Sequence, residues 1–353
     1  MQKNGKSFGH VLNNYYFCHT KNQKATAMIE TSMKDKVFGV EIALERTMYA
    51  IVDIRGNILA QDRFVTTDYS NVNDYVSALC ERMVDMMLAN DVFGAIRSVG
   101  ISAPSSNYMT GNIENAPGLP WKGVIPIAAM IRDRLGLAVA LSNKPHARAL
   151  GEFEYGAAHG LKDFALLTIG HGLGSFLYSD GMPYMGADGF AGEIGHACIV
   201  ENGRQCACGK LGCVEAYVAE AGVLQTVREV LEESDEPSLM RGISNLKPKN
   251  ITAFCEQGDQ LAIEVMRRTG VWLGWGLANY ASVFDPEAFV FTGGISRAGK
   301  WLLEPAEEAF NNVVFHNISG KVRFVMSSLD PDICDVLGAS VLAWSVKEYS
   351  LFK

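Results

Sequence analysis

No stretch of this sequence approaches the roughly 20 uninterrupted apolar residues that a membrane-spanning helix needs. Its first residues also lack the charged, apolar and small-residue order of a secretory signal, so a cytoplasmic protein with no membrane partner is the expectation. Cysteine is scarce: eight in 353 residues are too few for a disulfide scaffold. Basic charge is short as well. With 31 Lys and Arg against 39 Asp and Glu, the net charge of −8 gives no global attraction to nucleic acid or an anionic membrane, although a local basic patch stays open. Disorder is excluded in the other direction, because 48% hydrophobic and 20% charged residues are ordinary globular values. The length suits about two domains. Residues 1–36 carry six lysines against two acids and show no useful periodicity, which reads as a partly ordered arm. They lack the pair of amphipathic helices that a helix-turn-helix needs, so direct DNA binding is not expected.

From residue 37 the pattern changes. Three β-rich runs, 37–43, 48–53 and 58–64, form an antiparallel meander, the last two separated by the turn Asp53-Ile54-Arg55-Gly56-Asn57. Helical spacing of Tyr75, Leu79, Met83, Met86 and Met87 marks 74–88, an apolar strand follows at 96–102, then a helix at 127–135 and a strand at 138–141. Pro145 opens a helix that runs to about Tyr155. The opening pattern then returns, with strands at 164–169 and 173–178 joined by Gly170-His171-Gly172. Helical periodicity covers 215–231 and 259–283, before a strand at 288–291. Two related sheet domains facing each other imply a cleft between them. The boundaries expected are an arm at 1–36, an N-terminal α/β domain at 37–146 completed by a last helix at 333–349, and a C-terminal α/β domain at 147–332. Trp272 and Trp275 read as core or as a dimer surface.

The densest chemistry lies in Cys206-Ala-Cys208-Gly-Lys-Leu-Gly-Cys213, preceded by Gly192-Glu193-Ile194-Gly195-His196. Three thiolates and one imidazole make a tetrahedral set, His196, Cys206, Cys208 and Cys213, for which zinc is the natural occupant. With no open fourth position the metal is structural, pinning the loop 196–213 between Glu193 and Glu215. The plainer alternative is three reduced cysteines in a surface loop.

The run from Gly186 to His196 with Cys-x-Cys-Gly-x-x-Gly-Cys-x-Glu215 resembles the signature of the ROK family (repressors, open reading frames and sugar kinases). So do Asn115-Ala-Pro-Gly-Leu-Pro-Trp121, the stretch from Thr168 to Gly174, and the one from Asp285 to Gly294. The resemblance extends from about Val37 to the C-terminus. It implies an actin-like (ribonuclease H-like) α/β fold, two related domains flanking a cleft where Mg-ATP meets a hexose or N-acetylhexosamine, and a homodimer or homotetramer. It places sugar hydroxyls on Asn115, Asn143, Glu193, His196 and Glu215, with one ring nitrogen of His196 on zinc and the other toward the sugar. Gly172, Gly293 and Gly294 fall on the nucleotide side. A Gly-Gly turn is equally a purely structural requirement.

Three departures bear on chemistry. The family's first phosphate loop, Asp-x-Gly-Gly-Thr-Lys, reads Glu41-Ile-Ala-Leu-Glu45-Arg46 here, losing glycines that let amides approach a phosphate and gaining a repelling carboxylate. The second loop carries His171 and Ser175 where threonine and glycine are usual, and Gly118 stands where asparagine is common. The family's catalytic aspartate, the residue after the sugar-binding asparagine, is Lys144, whose ammonium has no lone pair to take a proton. Lys144 and Arg148 share one helical face, and with His171 they form a candidate cradle for a sugar phosphate. The alternative is a drifted lysine and a solvated arginine. The sequence therefore reads as a sugar-binding, zinc-stabilised protein, impaired as a kinase and acting in carbohydrate sensing or transcriptional regulation through a partner. A working ATP-dependent kinase with a substitute base is the rival, since phosphoryl transfer depends largely on positioning. A purely structural oligomer partner is the third reading.

Overall fold

The computed structural model describes residues 34–346. The expectations for residues 1–33, including the missing helix-turn-helix, lie outside the described residues, as do 347–349 of the expected last helix, which is observed to end at Ser345.

The meander forms as β1 (Lys36–Ile42), β2 (Arg46–Asp53) and β3 (Ile58–Val65). Asp53 shapes the β2–β3 turn by accepting from the amides of Arg55 and Asn57 at 2.8 and 2.9 Å, a side-chain mimic of a backbone turn. β1 and β2 are buried along almost their whole length, whereas β3 exposes Gln61, Asp62 and Arg63, the charged edge that discourages further strand pairing. Helix α1 (Val72–Ala89), capped by Asn71, buries Tyr75, Leu79, Met83 and Met87 against the sheet. β4 (Ile96–Ser102) pairs parallel with β1. A small sheet of β5 (Ser106–Asn107), β6 (Asn112–Glu114) and β7 (Val124–Ile125) then leads into α2 (Ile127–Leu135), β8 (Ala138–Ser142) and α3 (Lys144–Tyr155).

The second unit repeats the first: β9 (Phe164–Ile169), β10 (Leu173–Ser179) and β11 (Met182–Pro183) form the meander. The helices α4 (Glu215–Val218), α5 (Glu220–Glu233), α6 (Pro248–Glu256) and α7 (Gln260–Phe284) follow, then β12 (Ala288–Thr292), α8 (Lys300–Val313), β13 (Arg323–Met326) and α9 (Cys334–Ser345). The two five-stranded sheets have the orders β3-β2-β1-β4-β8 and β11-β10-β9-β12-β13, each antiparallel over three strands and parallel beyond. This duplicated mixed sheet is the actin-like α/β fold. No helix among the described residues is long and apolar enough to cross a membrane.

The last helix, α9, packs on β1, β4 and α3. It sits nearly in backbone contact: a Cβ at Gly39 or Gly100 would collide with the carbonyl oxygens of Val336 and Ala339, and one at Gly338 with that of Ala147. Glycine at these positions is what brings helix and strands this close.

Some elements depart from the periodicity. The helical run at 215–231 is broken at Ala219, whose extended ψ of 173° separates α4 from α5. α8 forms despite Pro305, because packing along α7 outweighs the breaker signal. On α7, Trp272 packs on Tyr217 with ring centroids 4.5 Å apart, while Trp275 stays 39% exposed.

Candidate functional site

In sheets with parallel strands, loops at the strands' carboxyl ends build ligand sites. Here the segment after β4, the β8–α3 junction, β10 and the segment 185–193 enclose a cavity of about 380 Å³. Asn143 lies on its wall and caps α3, its Oδ1 accepting from the His146 amide at 3.0 Å. The cap uses the amide oxygen and leaves the two Nδ2 hydrogens as donors. Glu193 lines the opposite side, held by Ser175, whose hydroxyl donates to the Gly192 carbonyl and accepts from the Ile194 amide. Partial burial pushes the Glu193 carboxyl above the usual range, against the pull of His196, and Glu215 adds to the rise.

Asn115, His196 and Glu215, also given sugar contacts by resemblance, are not among the residues that line this cavity. Asn115 takes a left-handed φ of 50°, and its neighbour Glu114 lines the cavity instead. Glu215 is engaged behind the loop, with Oε2 accepting from the Leu173 amide at 2.8 Å and Oε1 near the Cys206 thiol at 3.5 Å. Sequence reasoning missed Ser106, Tyr108, His146, Phe176, Met185 and Phe190, all on the cavity wall. The polar run Ser105-Ser106-Asn107 just past an apolar strand was the available signal.

The three residues of the expected phosphate cradle each have a protein partner. The Lys144 ammonium lies 2.6 Å from Glu41 Oε1 and 3.8 Å from Asp335 Oδ2. Arg148 makes a two-pronged pair with Asp335 at 2.6 and 2.7 Å. Burial alone would raise the Asp335 carboxyl, but that fork holds it below the usual range, whereas burial and Asp335 push Glu41 up despite Lys144. His171 projects into solvent and pairs with Glu220 at 2.5 Å. Lys144 and Arg148 are thus held by the buried carboxylates of Glu41 and Asp335, and the His171 ring is engaged by Glu220.

Both phosphate loops are likewise committed to internal bonds. In the first, the Ala43 amide donates to the Arg46 carbonyl at 2.9 Å, closing a tight hairpin. Leu44 packs over Gly118, where a Cβ would stand 3.0 Å from the Leu44 side chain, so these two departures fit each other. In the second, the Gly170 amide donates to Gly172 at 2.9 Å. Gly293 has φ of 98° and a Cβ there would collide with the Ile169 carbonyl, so its glycine is required by the turn; Gly294 faces open space.

His196, Cys206, Cys208 and Cys213 bring one ligand atom each within 4.8 Å of one another. Cys208 and Cys213 sulfurs are 3.7 Å apart, and Cys206 Sγ is 3.8 Å from His196 Nδ1. Ligand separations of about 3.8 Å follow from metal–sulfur bonds of about 2.3 Å at tetrahedral angles, so the donor set fits a tetrahedral ion through Nδ1 of the histidine.

A profile of the ROK family matches residues 37–346. A glucokinase of Halalkalibacterium halodurans is 31% identical over 255 residues, covering 71% of this chain and 76% of that protein. The DNA-binding transcriptional dual regulator NagC of Escherichia coli is 23% identical over 321 residues, covering 88% of this chain and 76% of the regulator. Among solved structures, a ROK family glucokinase from Streptomyces griseus, in complex with glucose and AMPPNP, superposes with a TM-score of 0.68 at 27% identity, covering 88% of this chain and 99% of that one.

Proposed function

The chain belongs to the ROK family, and we propose that it is a sugar-binding member that senses a hexose or N-acetylhexosamine instead of phosphorylating it. The observation that carries this reading is the Glu41–Lys144 pair at 2.6 Å. A general base must hold a free lone pair within reach of the sugar hydroxyl. At the position the resemblance gives to that base stands an ammonium, and it is bound to a carboxylate. In the first phosphate loop the Ala43 amide is already bonded to Arg46 and Glu45 adds a carboxylate, which supports the same conclusion for ATP.

The cavity retains what a neutral polyol needs: amide donors on Asn143, a carboxylate on Glu193 and the hydroxyl of Ser106, which is buried and has no partner of its own. Because Lys144 and Arg148 are already paired, the free sugar is the better ligand than its phosphate. His196 and the three cysteines would hold zinc, which supplies rigidity to the loop behind Glu193 and takes no part in group transfer. A glucokinase and a transcriptional regulator both stand among the relatives, and the sensing role aligns this chain with the second.

The test is a thermal-shift panel of hexoses, N-acetylhexosamines and their 6-phosphates, run alongside a coupled assay for ADP release. A free sugar is expected to raise the melting temperature, since a ligand of the native state alone must do so. Mg-ATP is expected to add nothing, and ADP release to stay at background. Steady turnover of ATP on any sugar of the panel would return the protein to the kinases.

A further inference from the structure

The wall of the cavity is not uniform. Asn143, Glu193 and the exposed Ser105 and Asp188 are polar, but three large side chains on it are apolar, Tyr108 and Met109 from one segment and Phe190 from another. These side chains are 41%, 78% and 73% exposed. Large apolar groups converging on one opening from two separate segments are costly to leave in water and mark a contact surface for a ligand.

In the same wall stands His146, only 3% exposed. Its ring stacks on Phe176, centroids 4.2 Å apart and planes 13° from parallel, and meets Tyr108 edge-on at 5.5 Å, so its orientation is set by packing. Nδ1 lies 2.5 Å from Ser142 Oγ. The Ser142 hydroxyl is buried and makes this one side-chain hydrogen bond, so its hydrogen is satisfied only by donation to Nδ1. The neutral ring, kept uncharged because burial pulls its pKa down to about 4, must then carry its proton on Nε2. That nitrogen is buried and has no partner, and His146 is one of the residues that line the cavity. A buried donor without an acceptor is costly unless a ligand supplies one.

We propose that the preferred ligand is a glycoside of at least two sugar units, one of them the hexose or N-acetylhexosamine, bound more tightly than that monosaccharide alone. One unit presents its hydroxyls to Asn143 and Glu193. The second lies over Tyr108, Met109 and Phe190, which cover the carbon face of its ring. His146 Nε2–H donates to an acceptor-only oxygen at or beside the linkage between them, an ether oxygen being matched by a group that can only give a hydrogen. This proposal rests on the reading that the cavity binds sugar.

Isothermal titration calorimetry on the full chain separates the two claims. The ligands are glucose, fructose, galactose, mannose and N-acetylglucosamine, their methyl glycosides, and maltose, cellobiose, lactose, sucrose and chitobiose. At least one disaccharide is expected to bind about tenfold or more tightly than either of its component sugars. In Phe190→Ala that advantage is expected to fall below about threefold, and His146→Gln to lower it as well. If a monosaccharide binds and no disaccharide binds more tightly, the glycoside inference is overturned while the sugar-binding reading stands. If no sugar of either kind binds, both are overturned.

Discussion

At the scale of single residues, a base and a cation differ by whether a lone pair is free, and Lys144 has none to offer. Its neighbours explain why the ammonium persists. Glu41 and Asp335 are both nearly buried, and two carboxylates this close need compensation. Lys144 and Arg148 supply it, so the substitution at 144 belongs to a four-residue charge cluster and is not a lone drift. His146 offers a cleaner test of the local physics, because burial holds its pKa at about 4 against an unperturbed value near 6.5. Above pH 6.5 neither folded nor unfolded chain protonates it. Between pH 6.5 and 4 the unfolded chain takes the proton first, so stability falls as pH falls, by about 3 kcal/mol across the window. His146→Gln removes this titration. Denaturant melts at pH 7 and pH 4.5 are expected to show the variant losing less stability on acidification than the parent; equal losses would place the imidazole in a far wetter setting.

At the scale of elements, α9 is held to the sheet by absent side chains. Gly100→Ala would push a Cβ into the Ala339 carbonyl, backbone that has no rotamer to yield, so the helix must move off β4. A loss of about 3 kcal/mol is expected by chemical denaturation, at the upper end of overpacking penalties, while Gly136→Ala, whose Cβ would meet nothing, is expected to cost less despite its positive φ. A Gly100→Ala protein as stable as its parent would mean that α9 is not seated on the strand. The element pattern itself was largely legible: the strand at 96–102 and the helix at 127–135 are observed with those limits, because uninterrupted apolar runs and 3.6-residue spacing are strong local signals. What could not be read locally is what long-range packing decides. Pro305 sits inside α8 because α7 supports it, and the two-residue strands around Ser106 have too few residues to show any period. The same limit applies to the site. Cys206, Cys208 and Cys213 announce themselves by spacing, and His196 by its motif. Nothing within the sequence neighbourhood of Lys144 says that Glu41, 103 residues away, will pair with it.

At the scale of the whole molecule, the metal-ligand loop and the cavity share a frame. His196 closes the short helical turn that begins just after Glu193, and Cys213 precedes Glu215, whose carboxylate fastens the start of β10 through the Leu173 amide. An ion bound by the four ligands would therefore fix one wall of the cavity without touching the sugar. A metal bound only by the native state adds stability by mass action, and its removal is expected to lower the melting temperature by about 5–10 °C. The sharper consequence concerns binding. Treatment with 1,10-phenanthroline, or Cys213→Ser, is expected to weaken sugar affinity about tenfold or more, because Glu193 would no longer be held in place before the ligand arrives. Titrating zinc back into the chelated parent should restore both the melting temperature and the affinity in step at one equivalent, whereas the serine variant should recover neither. If zinc restores thermal stability and affinity was never lost, the loop is a structural clamp isolated from the cavity, and Glu193 is positioned by the Ser175 hydroxyl and its bonds to Gly192 and Ile194 alone.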